Sequence, residues 1–360
     1  MTAKGARRLG KWSAQSAVRR FARSKIPHRG LCGPLHTALI LLAGSIGAAA
    51  TDFDYHITGN AADARPANTE GALLLMGGAG FVDDAFRWFI QKAGGGDIVV
   101  LKASDGKAAV ADTYGVYLHD TIGGCDSVEV IVFNNRNAAS NANALQAIEN
   151  ADGIFIGGGA QSRYADYWKG TAVAAALDAH VRAGRPLGGS SAGLAVLGQV
   201  CYTAHLTARL TSELAMKKPF NKSLTLESDF LHLDLMRGVI TDTHFSARGR
   251  LGRLITFLAR IADCKVERLL GIGVDEKTAL CVEASGSGRV FTTAPEGRAW
   301  FVMPQHAPEV LTEGKPLTYR DVKVIGAGPG SGVNLLKATI TNPAAEKTVS
   351  VVGGEFSSKP

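Results

Sequence analysis

The stretch Pro186-Leu187-Gly188-Gly189-Ser190-Ser191-Ala192-Gly193-Leu194-Ala195-Val196-Leu197 decides how this 360-residue chain is read. A short apolar run ends in a cluster of small residues, and an apolar helical pattern opens directly after it. Residues 189–193 fit G-x-S-x-G, and a strand-turn-helix setting makes that pattern a nucleophile elbow with Ser191 at its tip. Small neighbours let the backbone fold sharply and let a substrate carbonyl approach Oγ. The helix start supplies backbone N–H groups to a developing oxyanion, notably that of Ala192. On their own, the same residues also fit a Gly-rich turn whose serines cap a helix.

Outward from the elbow, short apolar runs alternate with helical stretches. The runs are residues 72–76, 97–101, 128–133 and 153–156; the helical stretches cover 83–93, 141–149 and an Ala-rich segment at about 165–183. Continuous apolar strands separated by amphipathic helices predict a doubly wound α/β core with a mostly parallel sheet covered on both faces. A second Gly-rich turn, Gly157-Gly158-Gly159-Ala160-Gln161, follows a strand and precedes a helix. Such turns meet the elbow at the carboxyl edge of a parallel sheet, where Gly158 could donate the second oxyanion hydrogen bond and Gln161 could touch substrate. Neither this turn nor Gly77-Gly78-Ala79-Gly80 carries G-x-G-x-x-G, which argues against a dinucleotide-binding fold. The α/β domain is expected over 69–285. Beyond it, short β-like runs broken by Gly and Pro predict a β-rich C-terminal extension over 286–360.

The formal net charge of +7 is unevenly placed. Nine of the 39 Lys and Arg precede residue 30, no acidic residue precedes Asp52, and the remaining 30 basic residues against 32 acidic ones leave −2. The folded part therefore has no compositional pull toward nucleic acid. The basic start, the apolar run Leu35 to Gly47 and Ala48-Ala49-Ala50 are the parts of a secretory signal over 1–50, with an uncleaved anchor as the competing reading. Residues 51–68 read as a polar linker. Secretion or a periplasmic location, with no stable membrane association after cleavage, is the expectation. Cys125, Cys201, Cys264 and Cys281 match no zinc spacing, and disulfide pairing and free thiols both stay open; no cofactor is expected.

An activated serine needs a base. His244 stands where the β-like run Val239-Ile240-Thr241-Asp242 ends, ahead of Arg248, Arg250 and Arg253. Three guanidinium groups within six residues make a carboxylate-recognition site, against the alternative of surface salt-bridging. An orienting acid could come from Asp275-Glu276, at the end of another strand-like run.

Taken together, GGSSAG (188–193), DTHFSARGRLGRL (242–254) and GIGVDEKTAL (271–280) resemble, in order, the cyanophycinase and peptidase E group of serine peptidases. The resemblance covers about residues 71–283. It implies a fold like the class I glutamine amidotransferases, a serine-histidine-glutamate triad and no metal. Carried across, Ser191 is the nucleophile, His244 the general base and Glu276 its orienting carboxylate, with Asp275 as a substitute. Gln161, Asp242, Arg248, Arg250 and Arg253 fall where cyanophycinases hold a β-linked aspartyl-arginine substrate. Two departures touch substrate choice: cyanophycinases resemble Asp-Gln-His-Phe-Ser-Gln-Arg where this chain reads Asp242 to Arg248 with Thr243 and Ala247, and they carry a lysine where this chain has Ala165.

The expected activity is hydrolysis of peptide or isopeptide bonds beside aspartyl groups, the partner being an acidic or β-aspartyl peptide. A homodimer stays open. The alternatives are an exported esterase or amidase acting on neutral substrates, and a non-catalytic binding protein of the same fold.

Overall fold

The computed structural model describes residues 52–66, 68–105, 113–206, 210–262 and 269–357. The expected leader, Cys32 and Cys264 lie outside these. The apolar runs form strands in two sheets. The first holds β1 (Phe53–Gly59), β2 (Ala72–Met76), β3 (Asp97–Ala103), β4 (Ser127–Phe133), β5 (Gly153–Ile156) and β6 (Leu187–Ser190). The second begins with β7 (Val200–Tyr202), β8 (Leu226–Ser228), β9 (Val239–Asp242) and β10 (Leu270–Val274), after which the chain returns to the first sheet as β11 (Thr278–Glu283) and β12 (Ser287–Thr292). Of the last six strands, β13 (Ala299–Met303), β14 (Tyr319–Ala327), β17 (Ala345–Val352) and β18 (Glu355–Ser357) extend the second sheet, while β15 (Gly332–Asn334) and β16 (Thr339–Thr341) extend the first.

The first sheet runs β1-β4-β3-β5-β6-β2-β11-β12-β15-β16. Its block β4-β3-β5-β6-β2 is parallel, and every strand added at either side is antiparallel. In the second sheet, β18-β17-β14-β13-β10-β9-β7-β8, only β9 with β10 and β7 with β9 are parallel. The doubly wound core is thus the parallel block inside two mixed sheets. Alternation explains its burial: Ala72, Leu74 and Met76 of β2 face one cluster with α1 (Asp83–Lys92), while Leu73 and Leu75 face the other. That other cluster includes residues of α2 (Ala142–Asn150), α3 (Gln161–Trp168) and α4 (Ala172–Arg182), as well as one face of β9 and β10. The Ala-rich stretch read as one helix is two, α3 and α4, interrupted around Gly170.

Residues Phe53–Gly59, expected as linker, form β1, which pairs antiparallel with β4 along its whole length. Its polar composition is that of an exposed edge strand, and that is why it read as linker. The C-terminal runs form strands as expected and are hydrogen-bonded into both sheets: β12 onto β11, and β13 onto β10. Described Cys125, Cys201 and Cys281 are free thiols.

This topology brings the site together. The carboxyl ends of β2, β5 and β6 lie side by side in the parallel block, β9 ends at Asp242, and the turn from β10 to β11 crosses from the second sheet to the first beside β2.

Candidate active site

Ser191 sits between β6 and α5 (Ala192–Ala195) with φ 53° and ψ −114°. A non-glycine residue there is strained, a state of order 1–3 kcal/mol that persists only where its surroundings fix it. They do: Ser191 N–H donates to the Met76 carbonyl at 3.1 Å, and its own carbonyl accepts from Ala195 N–H at 3.0 Å. The flanking glycines are demanded by space. A Cβ at Gly189 would lie 2.6 Å from the Gly193 carbonyl carbon, and one at Gly193 would collide with the Ile156 carbonyl oxygen. G-x-S-x-G is here the condition for packing α5 directly against the ends of β5 and β6.

His244 Nε2 stands 2.8 Å from Ser191 Oγ, and His244 Nδ1 stands 2.7 Å from Glu276 Oε1. With Nδ1–H donating to the carboxylate, Nε2 presents its lone pair to the serine hydroxyl. His244 is only 7% exposed. Its pKa is lowered, first by burial, which outweighs the Glu276 hydrogen bond acting upward; Arg248 and Arg250 lower it further. The imidazole is therefore neutral, and able to take a proton, from below the ordinary value of about 6.5 upward.

Asp275 is excluded as the orienting acid because both its oxygens are engaged. Oδ1 accepts from Ser246 N–H at 2.8 Å, and Oδ2 accepts from Arg298 N–H at 3.1 Å and Trp300 Nε1–H at 2.9 Å. It fixes the strand ends around the histidine loop. Glu276 meets the imidazole.

Sequence reasoning missed the hub of the site. The end of β2 and the two residues after it bond all three turns: Met76 O takes Ser191 N–H, Gly77 O takes His244 N–H at 2.9 Å, Gly78 O takes Lys277 N–H at 2.8 Å, and Gly77 N–H donates to Thr278 O at 3.0 Å. Nothing in Gly77-Gly78-Ala79-Gly80 announces this role, because it is played by backbone alone.

The residues expected to hold substrate divide sharply. Asp242 is 3% exposed and accepts Arg253 Nε–H at 2.7 Å and Nη2–H at 2.6 Å, Arg250 Nη1–H at 3.0 Å and the Thr243 N–H at 2.8 Å. Arg253, 5% exposed, also lies 5.1 Å over the Tyr202 ring. Asp242 and Arg253 are thus an internal ion pair beneath the histidine loop, not a substrate surface; a short carboxylate on the last residue of a buried strand finds the helix arginine before it finds solvent. Arg250 is half committed: Nη1 also donates to the Thr243 carbonyl at 2.7 Å, and the side chain lines a cavity of about 240 Å³ with Phe245, Trp300 and Lys347. Burial lowers its pKa to about 10, so it remains cationic at neutral pH. Arg248 is exposed. Gln161 donates through Nε2 to the Tyr202 carbonyl at 2.8 Å, which ties α3 to the second sheet.

The oxyanion candidates flank the serine. Ala192 opens α5, so its N–H is among those without an intrahelical acceptor. Gly158 lies in the turn after β5, which Tyr164 holds by donating its hydroxyl to the Gly157 carbonyl at 2.7 Å. Among the described residues, no group of three His, Cys, Asp or Glu side chains is placed to hold a metal.

Fold and site together define a class: an α/β protein whose sheet edge carries a strained serine on a G-x-S-x-G turn, in a hydrogen-bonded line with histidine and glutamate. The model of peptidase family S51 matches residues 104–288, more than half of the chain, and the chain belongs to that family. It is 31% identical over 230 residues to the cyanophycinase of Synechococcus elongatus, covering 61% of this chain and 65% of that protein. It is 30% identical over 227 residues to the cyanophycinase of Trichormus variabilis, covering 61% of this chain and 70% of that one. A solved peptidase from an acI-B1 Actinobacterium is 19% identical with a TM-score of 0.48, covering 69% of this chain and 97% of that one.

Proposed function

We propose that this chain is an exported serine peptidase that hydrolyses peptide or isopeptide bonds beside aspartyl groups through Ser191, His244 and Glu276. The observation that carries the reading is the continuous line from Ser191 Oγ to His244 Nε2 at 2.8 Å and from His244 Nδ1 to Glu276 Oε1 at 2.7 Å. His244 takes the Ser191 proton as Oγ bonds to the amide carbonyl carbon, and the N–H groups of Gly158 and Ala192 receive the oxyanion. Protonated His244 then gives its proton to the leaving amine, the C–N bond breaks, and an acyl-enzyme ester remains. Water, deprotonated by His244, releases the acid and restores Ser191.

Likeness to cyanophycinases and the cationic surroundings support an acidic or β-aspartyl substrate. With Arg253 tied to Asp242, recognition of a substrate carboxylate falls to exposed Arg248 and to the uncommitted N–H groups of Arg250. The basic start and apolar run before residue 51 support export to the periplasm or beyond the cell.

The test is turnover of β-aspartyl dipeptides and cyanophycin by the purified protein, with Ser191→Ala as control. Turnover should disappear in the variant; hydrolysis that survives it unchanged sinks the mechanism. Preference for neutral esters, unaltered by Arg248→Ala, would instead favour the esterase alternative.

A further inference from the structure

Tyr114 lies beside the site without having been singled out by any motif. It is 8% exposed, with its ring against Phe81 and Phe155, and Lys102 Nζ stands 5.5 Å from the ring centroid. Its hydroxyl oxygen accepts the Gly158 N–H at 3.4 Å. Neutral N–H···O bonds favour about 2.9–3.0 Å, so this N–H is only loosely engaged. The hydroxyl's own hydrogen finds no acceptor among the described residues. Buried phenol O–H groups ordinarily have one, and a donor left open beside an oxyanion N–H lacks the acceptor a substrate would bring.

Gly158 in turn lies against the nucleophile, since a Cβ placed on it would be 3.7 Å from Ser191 Cβ. We propose that the Tyr114 hydroxyl is a third donor to the oxyanion, beside the N–H groups of Gly158 and Ala192, and that Lys102 over the ring strengthens it. In the free enzyme the phenol oxygen occupies the mouth of the hole; in the tetrahedral intermediate the oxyanion lies between Gly158 N–H and Tyr114 O–H, accepting from both.

Two physical features suit Tyr114 to donation. Burial raises its pKa above the ordinary phenol value, with the Gly158 hydrogen bond acting more weakly in the other direction, so the proton stays in place over the working range. A cation within about 6 Å of an aromatic face attracts ring electron density, which makes the phenol O–H the better donor. Among the described residues no carboxylate pairs with Lys102, and its pKa is lowered by burial.

The inference rests on the serine-peptidase reading, and the experiment separates the two. The rate at which a fluorophosphonate labels Ser191, and kcat and KM on a β-aspartyl dipeptide, are measured for wild type, Tyr114→Phe, Lys102→Met, Tyr164→Phe and Ser191→Ala. Removing one oxyanion donor costs about 10²–10³ in kcat. For a third donor, Tyr114→Phe is expected to lose about 10- to 100-fold in both labelling rate and kcat, with KM and Tm unchanged. Lys102→Met should lose about two- to fivefold. Tyr164→Phe, which loosens the same turn without removing a donor, should lower Tm. Wild-type labelling and kcat in Tyr114→Phe overturn the inference and leave the peptidase reading standing, as does a loss of rate that only accompanies the fall in Tm seen with Tyr164→Phe. A folded wild type that neither labels nor turns over substrate, or labelling that persists in Ser191→Ala, overturns the peptidase reading and the inference with it.

Discussion

The two halves of the site are held in place by different physics. On the serine side, at the ends of β5 and β6, position is set by backbone and space: a strained residue, two glycines that cannot bear a Cβ, and an N–H donated to Met76 O. On the histidine side, at the ends of β9 and β10, His244 is also held at a positive φ of 46° with its N–H on Gly77 O, and buried carboxylates add what the serine side lacks. Asp242 gathers Arg250, Arg253 and the Thr243 N–H under the loop, and Asp275 pins Ser246, Arg298 and Trp300 around it. Close packing tolerates almost no added volume, whereas buried charge tolerates almost no missing partner. The halves should therefore fail in different ways.

The largest effect is expected from the carboxylate proposed to orient His244. Glu276→Gln keeps the shape but removes the charge that holds Nδ1–H and stabilises the imidazolium. Loss of the orienting acid in a serine triad costs on the order of 10⁴ in kcat. Asp275→Asn, one residue away, should leave the tautomer intact and appear mainly as lower stability. Comparable kcat losses from both would mean that the assignment of Glu276 over Asp275 is wrong.

Next comes the ion pair under the loop. Arg253→Met leaves Asp242 buried with only Arg250 as a cationic partner, and removing one member of a buried pair costs about 3–5 kcal/mol. Denaturant unfolding reads this directly, and a loss well under 1 kcal/mol would show the pair to be solvated rather than internal. On the serine side, Gly193→Ala pushes a methyl group at the Ile156 carbonyl, and overpacking of this kind costs about 1–3 kcal/mol. Its signature should be a Ser191 that no longer labels in a protein that still folds. Full labelling in that variant would mean the elbow can shift.

The difference between the halves also explains what the sequence could reveal. The elbow was legible because steric demands write themselves as residue types in a fixed order: Gly189, Ser191 and Gly193. The parallel core was legible because strands buried on both faces are unbroken apolar runs. The three arginines were legible as a group but not as individuals. Arg248 and Arg253 are the same residue type five positions apart, and only the turn of α6 (Leu251–Ala262) toward Asp242 makes one internal and leaves the other exposed. Asp275 and Glu276 were ambiguous for the same reason, since adjacent residues at a strand end point to opposite sides. The Met76-Gly77-Gly78 hub and Tyr114 were illegible: the first acts through main-chain atoms, and the second comes from a segment with no motif.

The smallest effect separates the exposed arginine from the buried one. Arg248→Ala removes no hydrogen bond under the loop, so Tm at neutral pH should not move. It does remove one of the charges that lower the His244 pKa, although burial, the largest cause, remains. The His244 pKa should then rise, and the acid limb of kcat/KM should move to higher pH without reaching full reversal of the shift. Glu276→Gln should move the residual limb the other way, because the glutamate hydrogen bond raises that pKa. Stability follows the same sign. A histidine whose folded pKa lies below its unfolded one binds fewer protons when folded, so stability falls as pH drops through the ordinary imidazole value toward the lowered one, and Arg248→Ala should soften that fall. Because Arg248 acts from the solvent-exposed surface, 1 M salt, with a Debye length of about 3 Å, should bring the wild-type and variant limbs together. A gap that survives 1 M salt would mean that Arg248 reaches His244 through structure, and the division between an exposed arginine and a buried scaffold arginine would have to be redrawn.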